Sequence, residues 1–147
     1  MKRVILLSVL FITTLLSAQE RDVKKAITTF FEGMHTADTL KMKSVCAEGL
    51  LLQSVAEAKT GNSLTTDTAQ EFYKSIALIP QNIKIEERLL SYDIQIDGAM
   101  AHVWTPYEFY INDRLSHGGV NSFTLFNDNG TWKIIYIIDT RHKNNPD

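Results

Sequence analysis

The chain is 147 residues long, with 15 basic and 17 acidic residues, a formal net charge of −2, four histidines and one cysteine. That length suits one domain around one core. The absence of a basic excess removes the electrostatic footprint of a nucleic-acid or anionic-membrane binder, and a single cysteine rules out an internal disulfide.

The first 18 residues, MKRVILLSVLFITTLLSA, place Lys2 and Arg3 ahead of a 13-residue run in which only Ser8, Thr13 and Thr14 are polar. This is the pattern of a secretory signal peptide cut after Ala18. The run is shorter than the ~20 apolar residues that a membrane span needs, and it passes straight into the charged QERDVKK. The expectation is an exported protein, periplasmic or extracellular, with residues 19–147 as one domain and no membrane contact in its mature form. Cleavage takes away Lys2 and Arg3 and no acid, leaving 13 basic against 17 acidic residues, a net charge of −4.

From Asp22, apolar residues at Val23, Ala26, Ile27, Phe30, Phe31 and Met34 repeat at helical spacing, which predicts an amphipathic helix ending near His35. Asp38 is placed to cap a second short helix over TLKMKSVC. Cys46 lies among apolar neighbours in SVCAEGLLL, which predicts a buried, inert thiol. LLLQSVAEAK reads as a strand stopped by the turn formers Thr60, Gly61, Asn62 and Ser63. Asp67 then caps a third helix whose apolar face is Ala69, Phe72, Tyr73 and Ile76, and Pro80 ends it.

Everything after Pro80 reads as strand and turn. NIKIEERLLSYDIQI, AMAHVWTPYEFYI, RLSHGGVNSFTLF and TWKIIYIIDTRHK are separated by Asp97-Gly98, Asn112-Asp113 and Asp128-Asn129-Gly130, the signature of an antiparallel meander of four long strands. With the helices gathered in the N-terminal half, the fold class is α+β.

Hairpin register decides which side chains share a face. A three-residue loop Asn112-Asp113-Arg114 pairs Phe109 with His117, Tyr107 with Gly119, Thr105 with Asn121, Val103 with Phe123 and Ala101 with Leu125. That face is apolar apart from His117 and Asn121; the other carries His102, Trp104, Glu108, Ser116 and Ser122. A two-residue loop would mix the faces, so segregation favours the first register, although Pro106 signals a bulge or edge nearby. In the last hairpin an Asn129-Gly130 turn puts Ile134, Tyr136 and Ile138 on the apolar face. A three-residue turn, or a bulge further along, would bring Asp139 and Arg141 there instead. The first is preferred because it keeps Lys133 out of the core.

Three helices followed by a long meander, through ITTFFEGMHTADTLKMKSV, AMAHVWTPYEFYI, SHGGVNSFTLF and GTWKIIYIIDT, resemble the nuclear transport factor 2-like superfamily. Within it they most resemble exported bacterial members labelled "putative lumazine-binding". The resemblance implies N-terminal helices packed in the concave face of a strongly curved antiparallel sheet, a conical pocket, and homodimers through the outer sheet face. It also implies that His35 and Asp38 border the pocket mouth and that His117 and Asn121 lie on its floor. Relatives carry cysteine where this chain has Gly118, which argues against thiol chemistry at that position.

Ser116 and His117 do not form a catalytic dyad, because strand neighbours project to opposite faces unless a bulge intervenes, and no GxSxG elbow accompanies them. Histidines at 35, 102, 117 and 142 show no metal-ligand spacing, so neither metal nor other cofactor is expected. The ligand-pocket candidates are therefore His35, Asp38, Tyr107, His117, Asn121 and Tyr136, with Asp139 and Arg141 in a second tier. His102, Trp104, Glu108 and Tyr110 are the candidates for a dimer face.

The functional expectation is a non-enzymatic module holding an unknown small, partly apolar molecule. The alternatives are a His/Asp acid–base enzyme of the isomerase, dehydratase or cyclase type, and a dimeric interaction module with a filled cone. Fold alone does not choose among them.

Overall fold

The computed structural model describes residues 2–58 and 60–142, with side chains described over 17–57 and 60–142. The expected export signal thus lies, apart from Ser17 and Ala18, outside the described side chains. Among the described residues no helix is long and apolar enough to cross a membrane.

The elements in chain order are α1 (Lys2–His35), α2 (Thr39–Ser44), β1 (Cys46–Ala58), β2 (Gly61–Thr68), α3 (Ala69–Ala77), β3 (Ile85–Leu89), β4 (Asp93–Asp97), β5 (Met100–Ile111), β6 (Arg114–Asp128) and β7 (Thr131–Arg141). They build a seven-stranded sheet in the order β2-β1-β7-β6-β5-β3, with β4 also paired to β5. All pairings are antiparallel except β1 with β7, which run parallel, so the sheet is mixed. The α+β class stands.

The six residues read as the inner face of the first helix are all buried: Val23, Ala26, Ile27, Phe30, Phe31 and Met34. They pack on the inward residues of the meander, Phe31 edge-on to Phe123 with centroids 5.9 Å apart. Phe123, Leu125, Ile134, Val103 and Ile27 are completely buried. Each such side chain contributes about 1.5–3 kcal/mol of burial, which explains why the α1–sheet contact organises the molecule. Cys46 is buried as expected, and burial pushes its thiol up to about 11.

Several elements differ from the sequence reading for identifiable reasons. Of the residues expected to form a turn after β1, Thr60 does, while Gly61, Asn62 and Ser63 begin a further strand: β2 is an edge strand exposed along its whole length. A strand with no buried face leaves no period-two pattern to detect. The third helix is capped by Thr68 instead of Asp67, through a reciprocal capping box with Glu71. It ends at Ala77, three residues before Pro80.

The expected single strand NIKIEERLLSYDIQI is split into β3 and β4, which occupy successive stretches of the same edge of β5. The break comes opposite Pro106, whose carbonyl accepts from the Leu90 amide at 2.9 Å. Strand amides and carbonyls of one residue point to the same side. Proline has no N–H to return there, so the ladder lapses.

The pairing of β5 with β6 joins Phe109 to His117, Tyr107 to Gly119, Thr105 to Asn121, Val103 to Phe123 and Ala101 to Leu125, as face segregation predicts. The loop itself is shorter than expected. Asn112 and Asp113 both have positive φ and form a two-residue turn, and the register shifts by one between Phe109 and Tyr110. Ser116 is therefore a bulge residue, which reconciles a short turn with segregated faces.

In the last hairpin the Asn129-Gly130 turn is present and Leu125 opposes Ile134. Beyond that point Thr124 opposes Tyr136 and Asn121 opposes Asp139, because Ile135 is bulged. The preferred register holds near the turn and is reversed further along. Tyr136 goes to the outer face, and Asp139 and Arg141 to the inner one.

Candidate functional site

The helices do not fill the concave face completely. A cavity of about 430 Å³ lies between α1, α3 and the sheet. Its walls are mainly apolar, with the rings of Phe30, Phe31, Phe72 and Phe109 beside Met34, Ile76, Ile79 and Ile137. Phe30 stacks on Phe72 with ring planes 8° apart, and meets Phe31 edge-on.

The polar groups are collected by two rows across the sheet. One joins Thr105, Asn121, Asp139 and Ser54, directly opposed on β5, β6, β7 and β1. The other joins Glu87, Phe109 and His117 on β3, β5 and β6. Because opposed residues point the same way, both rows face inward, and all of these except Thr105 line the cavity.

Asn121, only 4 % exposed, donates from Nδ2 to Glu87 Oε1 at 2.6 Å. Burial pushes the Glu87 carboxyl up to about 7, with the negative charge of Asp139 adding in the same direction. Asp139 sits in a different environment: it accepts from Ser54 Oγ, and from Arg141 Nε at 2.8 Å. Arg141 also donates to Ser54 at 2.9 Å. The Tyr107 hydroxyl lies 3.1 Å from Asp139 Oδ2 and 2.9 Å from the Thr140 carbonyl, and its own burial raises its pKa.

His117 stacks on Phe109 with centroids 4.9 Å apart and planes at 28°, while the ring of Tyr107 meets it edge-on. Burial, reinforced by the Arg141 charge, holds its pKa below the ordinary value. The imidazole is thus a neutral group at neutral pH, and Ser116 Oγ is 3.2 Å from Nδ1. The bulge permits that contact, but Ser116 is exposed and does not line the cavity.

Gly119 makes the arrangement possible. A Cβ there would come 1.9 Å from the Thr140 carbonyl oxygen and 3.1 Å from the Tyr107 ring. Only glycine permits β6 and β7 to approach this closely, and the room opposite Tyr107 is part of the same requirement.

Of the expected pocket residues, Tyr107, His117 and Asn121 line the cavity, as do Asp139 and Arg141. Three others do not. Tyr136 points outward and donates to Gln53 Oε1. Asp38 caps α2 by accepting the Lys41 amide at 2.9 Å. His35 supports the site from behind: its Nε2 accepts the Glu87 amide at 2.8 Å, so the proton of the neutral ring is on Nδ1. Burial holds the His35 pKa below its ordinary value, as that role requires.

Glu87 is the main cavity residue that the sequence reading missed. Its signal was an acid alternating with Ile85 and Leu89 on one strand face, which period-two counting can detect.

On the outer face His102 opposes Thr124 and Trp104 opposes Ser122. Trp104 and Met100 are about half exposed, at 49 % and 54 %. Tyr110 donates to Glu108 at 2.7 Å, and the Arg88 guanidinium lies 4.0 Å above its ring. Among the described residues no group of three or more His, Cys, Asp or Glu side chains is placed to hold a metal ion.

Solved structures share the fold at low identity. A structure described as a putative dehydratase from the NTF2-like family of Streptomyces avermitilis is 18% identical, with 86% of this chain and 97% of that one covered at a TM-score of 0.66. An NTF2-like protein from Cytophaga hutchinsonii is 16% identical, covering 84% and 98% at 0.67. The β subunit of a putative aromatic-ring-hydroxylating dioxygenase from Novosphingobium aromaticivorans is 11% identical, covering 89% and 94% at 0.71. No curated protein matches the chain. The family model described as "Putative lumazine-binding" matches residues 18–136. The chain belongs to that family, and its fold is that of the NTF2-like structures.

Proposed function

We propose that the protein is a non-enzymatic module that holds a small, partly apolar molecule between its helices and its sheet. The observation that carries this reading is the cavity: about 430 Å³, largely apolar, with its polar groups, Ser75 of α3 excepted, on the sheet. Those are the proportions of a ligand site, where apolar surface supplies affinity and a few placed polar groups supply orientation. Phe109 and the Phe30–Phe72 pair offer flat surfaces; Asn121, Glu87 and His117 offer hydrogen bonds.

The test is native mass spectrometry of the protein purified from its own cells, alone and with Ile79→Trp, which places an indole in the cavity. The reading predicts a small-molecule adduct that denaturation releases and that the variant lacks. An adduct unaffected by the filled cavity, or none in the parent protein, contradicts it.

Acid–base catalysis is the second reading, favoured by the Glu87 carboxyl held at about 7 on the same wall as a neutral histidine. A recovered ligand that is turned over, with one limb of the pH–rate profile lost in Glu87→Gln, would support it. A ligand recovered unchanged after long incubation would contradict it.

The proposal extends to location and assembly. Residues 1–18 act as an export signal cut after Ala18, which sequencing the mature N-terminus checks. The outer sheet face around Trp104 and Met100 joins two copies, which sedimentation of Trp104→Asp against the parent protein checks.

A further inference from the structure

Glu87, unlike Asp139, has no cation among the described residues; Asp67, the other lining carboxylate without one, lies on the exposed strand β2. Arg141 is the one Lys or Arg among the lining residues. It is held by Asp139 and Ser54 at 2.8 and 2.9 Å. Glu87 Oε1 accepts from the neutral amide of Asn121, and among the described residues nothing donates to Glu87 Oε2 or Asn121 Oδ1. The lining carries Glu87, Asp139 and Asp67 against that single arginine. An anionic ligand would therefore enter against a negative balance. Aromatic faces at Phe30, Phe31, Phe72 and Phe109 attract cations through their quadrupoles.

From the placement of this carboxyl among aromatic rings, we infer that the cavity takes a primary or secondary ammonium on an apolar, flat body, with Glu87 as its counter-ion and Asn121 Oδ1 as a second acceptor. The inference rests on the proposed ligand-binding role and specifies the ligand class. The ligand's ammonium supplies the charge that the protein withholds from Glu87. A charge-assisted hydrogen bond is the strong kind, and breaking it where the carboxyl is buried leaves an unpaired charge. Protonation of the carboxyl removes the counter-ion.

The groups facing the Glu87 side chain are Asp139 and Arg141 from β7, Asn121 and His117 from β6 and Tyr107 from β5, while His35 from α1 meets only its backbone amide. As pH falls, protonation of Glu87 and of His117 both oppose a cation, so ammonium binding strengthens as pH rises through about 7.

The test uses three probes with one ring system: tryptamine, indole-3-ethanol and indole-3-acetate, titrated at pH 5.5 and pH 8 into the mature protein and into Glu87→Gln. The expected result is tryptamine at least about tenfold tighter than indole-3-ethanol at pH 8, with indole-3-acetate weakest. That preference collapses at pH 5.5 and in Glu87→Gln, whose urea unfolding near pH 4.5 matches the parent's and so shows that the variant is folded. Equal binding of the three, preference for the acetate, or a tryptamine preference that survives Glu87→Gln overturns the ammonium assignment and leaves the cavity reading standing. Failure of all three to bind at millimolar concentration overturns both.

Discussion

Glu86 and Glu87 are neighbours on β3 with opposite fates. Glu86 points out of the sheet, where Arg88 grips both of its oxygens at 3.0 Å and Lys84 stands 3.8 Å away. The Arg88 hydrogen bonds hold its carboxyl below the ordinary range. Glu87 points inward to Asn121 and the aromatic wall, and burial drives its carboxyl up to about 7. The residue type and the strand are the same; one step of the pleat changes the environment. A carboxyl beside a guanidinium on a wet surface is a solved electrostatic problem. One beside an amide in an apolar cavity is an unsolved one, and such sites are where function concentrates.

The inner face should prove far less tolerant than the outer. Gly119→Ala has the largest expected effect: the new Cβ meets the Thr140 backbone before any movable side chain, and about 3 kcal/mol or more of stability is lost in urea unfolding. The control is Gly118→Ala, whose Cβ would lie 3.1 Å from the Tyr107 carbonyl and which should cost about 1 kcal/mol or less. Equal losses would show that the close approach of β6 and β7 is not what demands glycine.

Glu87→Gln comes next, and its sign depends on pH. The folded carboxyl titrates above its unfolded value, so its contribution is most favourable below about 4.5 and is lost as pH rises through about 7. That displacement is worth about 3 kcal/mol. The glutamine variant should match the parent near pH 4.5 and be more stable than it by up to about 3 kcal/mol at pH 8. Glu86→Gln, on the wet face, should show no such gain. If both variants behave alike, the two glutamates do not differ as described.

His35→Ala should cost about 2 kcal/mol, because it strips the Glu87 amide of its acceptor; His35→Gln, which retains an acceptor, should recover part of it. The smallest effect is expected from Trp104→Ala on the outer face, within about 0.5 kcal/mol of the parent in urea unfolding of the monomer.

The sequence carried the inner face well where packing alone decides it. The α1 stripe and the β5–β6 register follow from keeping apolar residues together, which by itself puts Tyr107, His117 and Asn121 on the inner face. Bulges were not legible in the same way. Ser116 and Ile135 are extra residues that let the sheet bend around α1, and that demand comes from tertiary curvature, not from their own chemistry. Without the Ile135 bulge, Tyr136 faces the cavity and Asp139 does not; with it, they exchange.

His35 and Asp38 came from resemblance, and both serve as scaffolding: one holds β3, the other caps α2. Glu87 was hidden in a charged triplet, EER, that reads as a solvated edge until the alternation with Ile85 and Leu89 is counted.

The most direct measurement is a carbon-13 NMR titration of the side-chain carboxyls in the ligand-free protein, with Glu86 and Glu87 assigned through their Gln variants. The account predicts that Glu87 titrates near 7 and Glu86 below the ordinary glutamate range. Two overlapping titrations near 4.5 would contradict it, because Glu87 would then be a solvated carboxylate and not the buried, cation-free group of an apolar cavity.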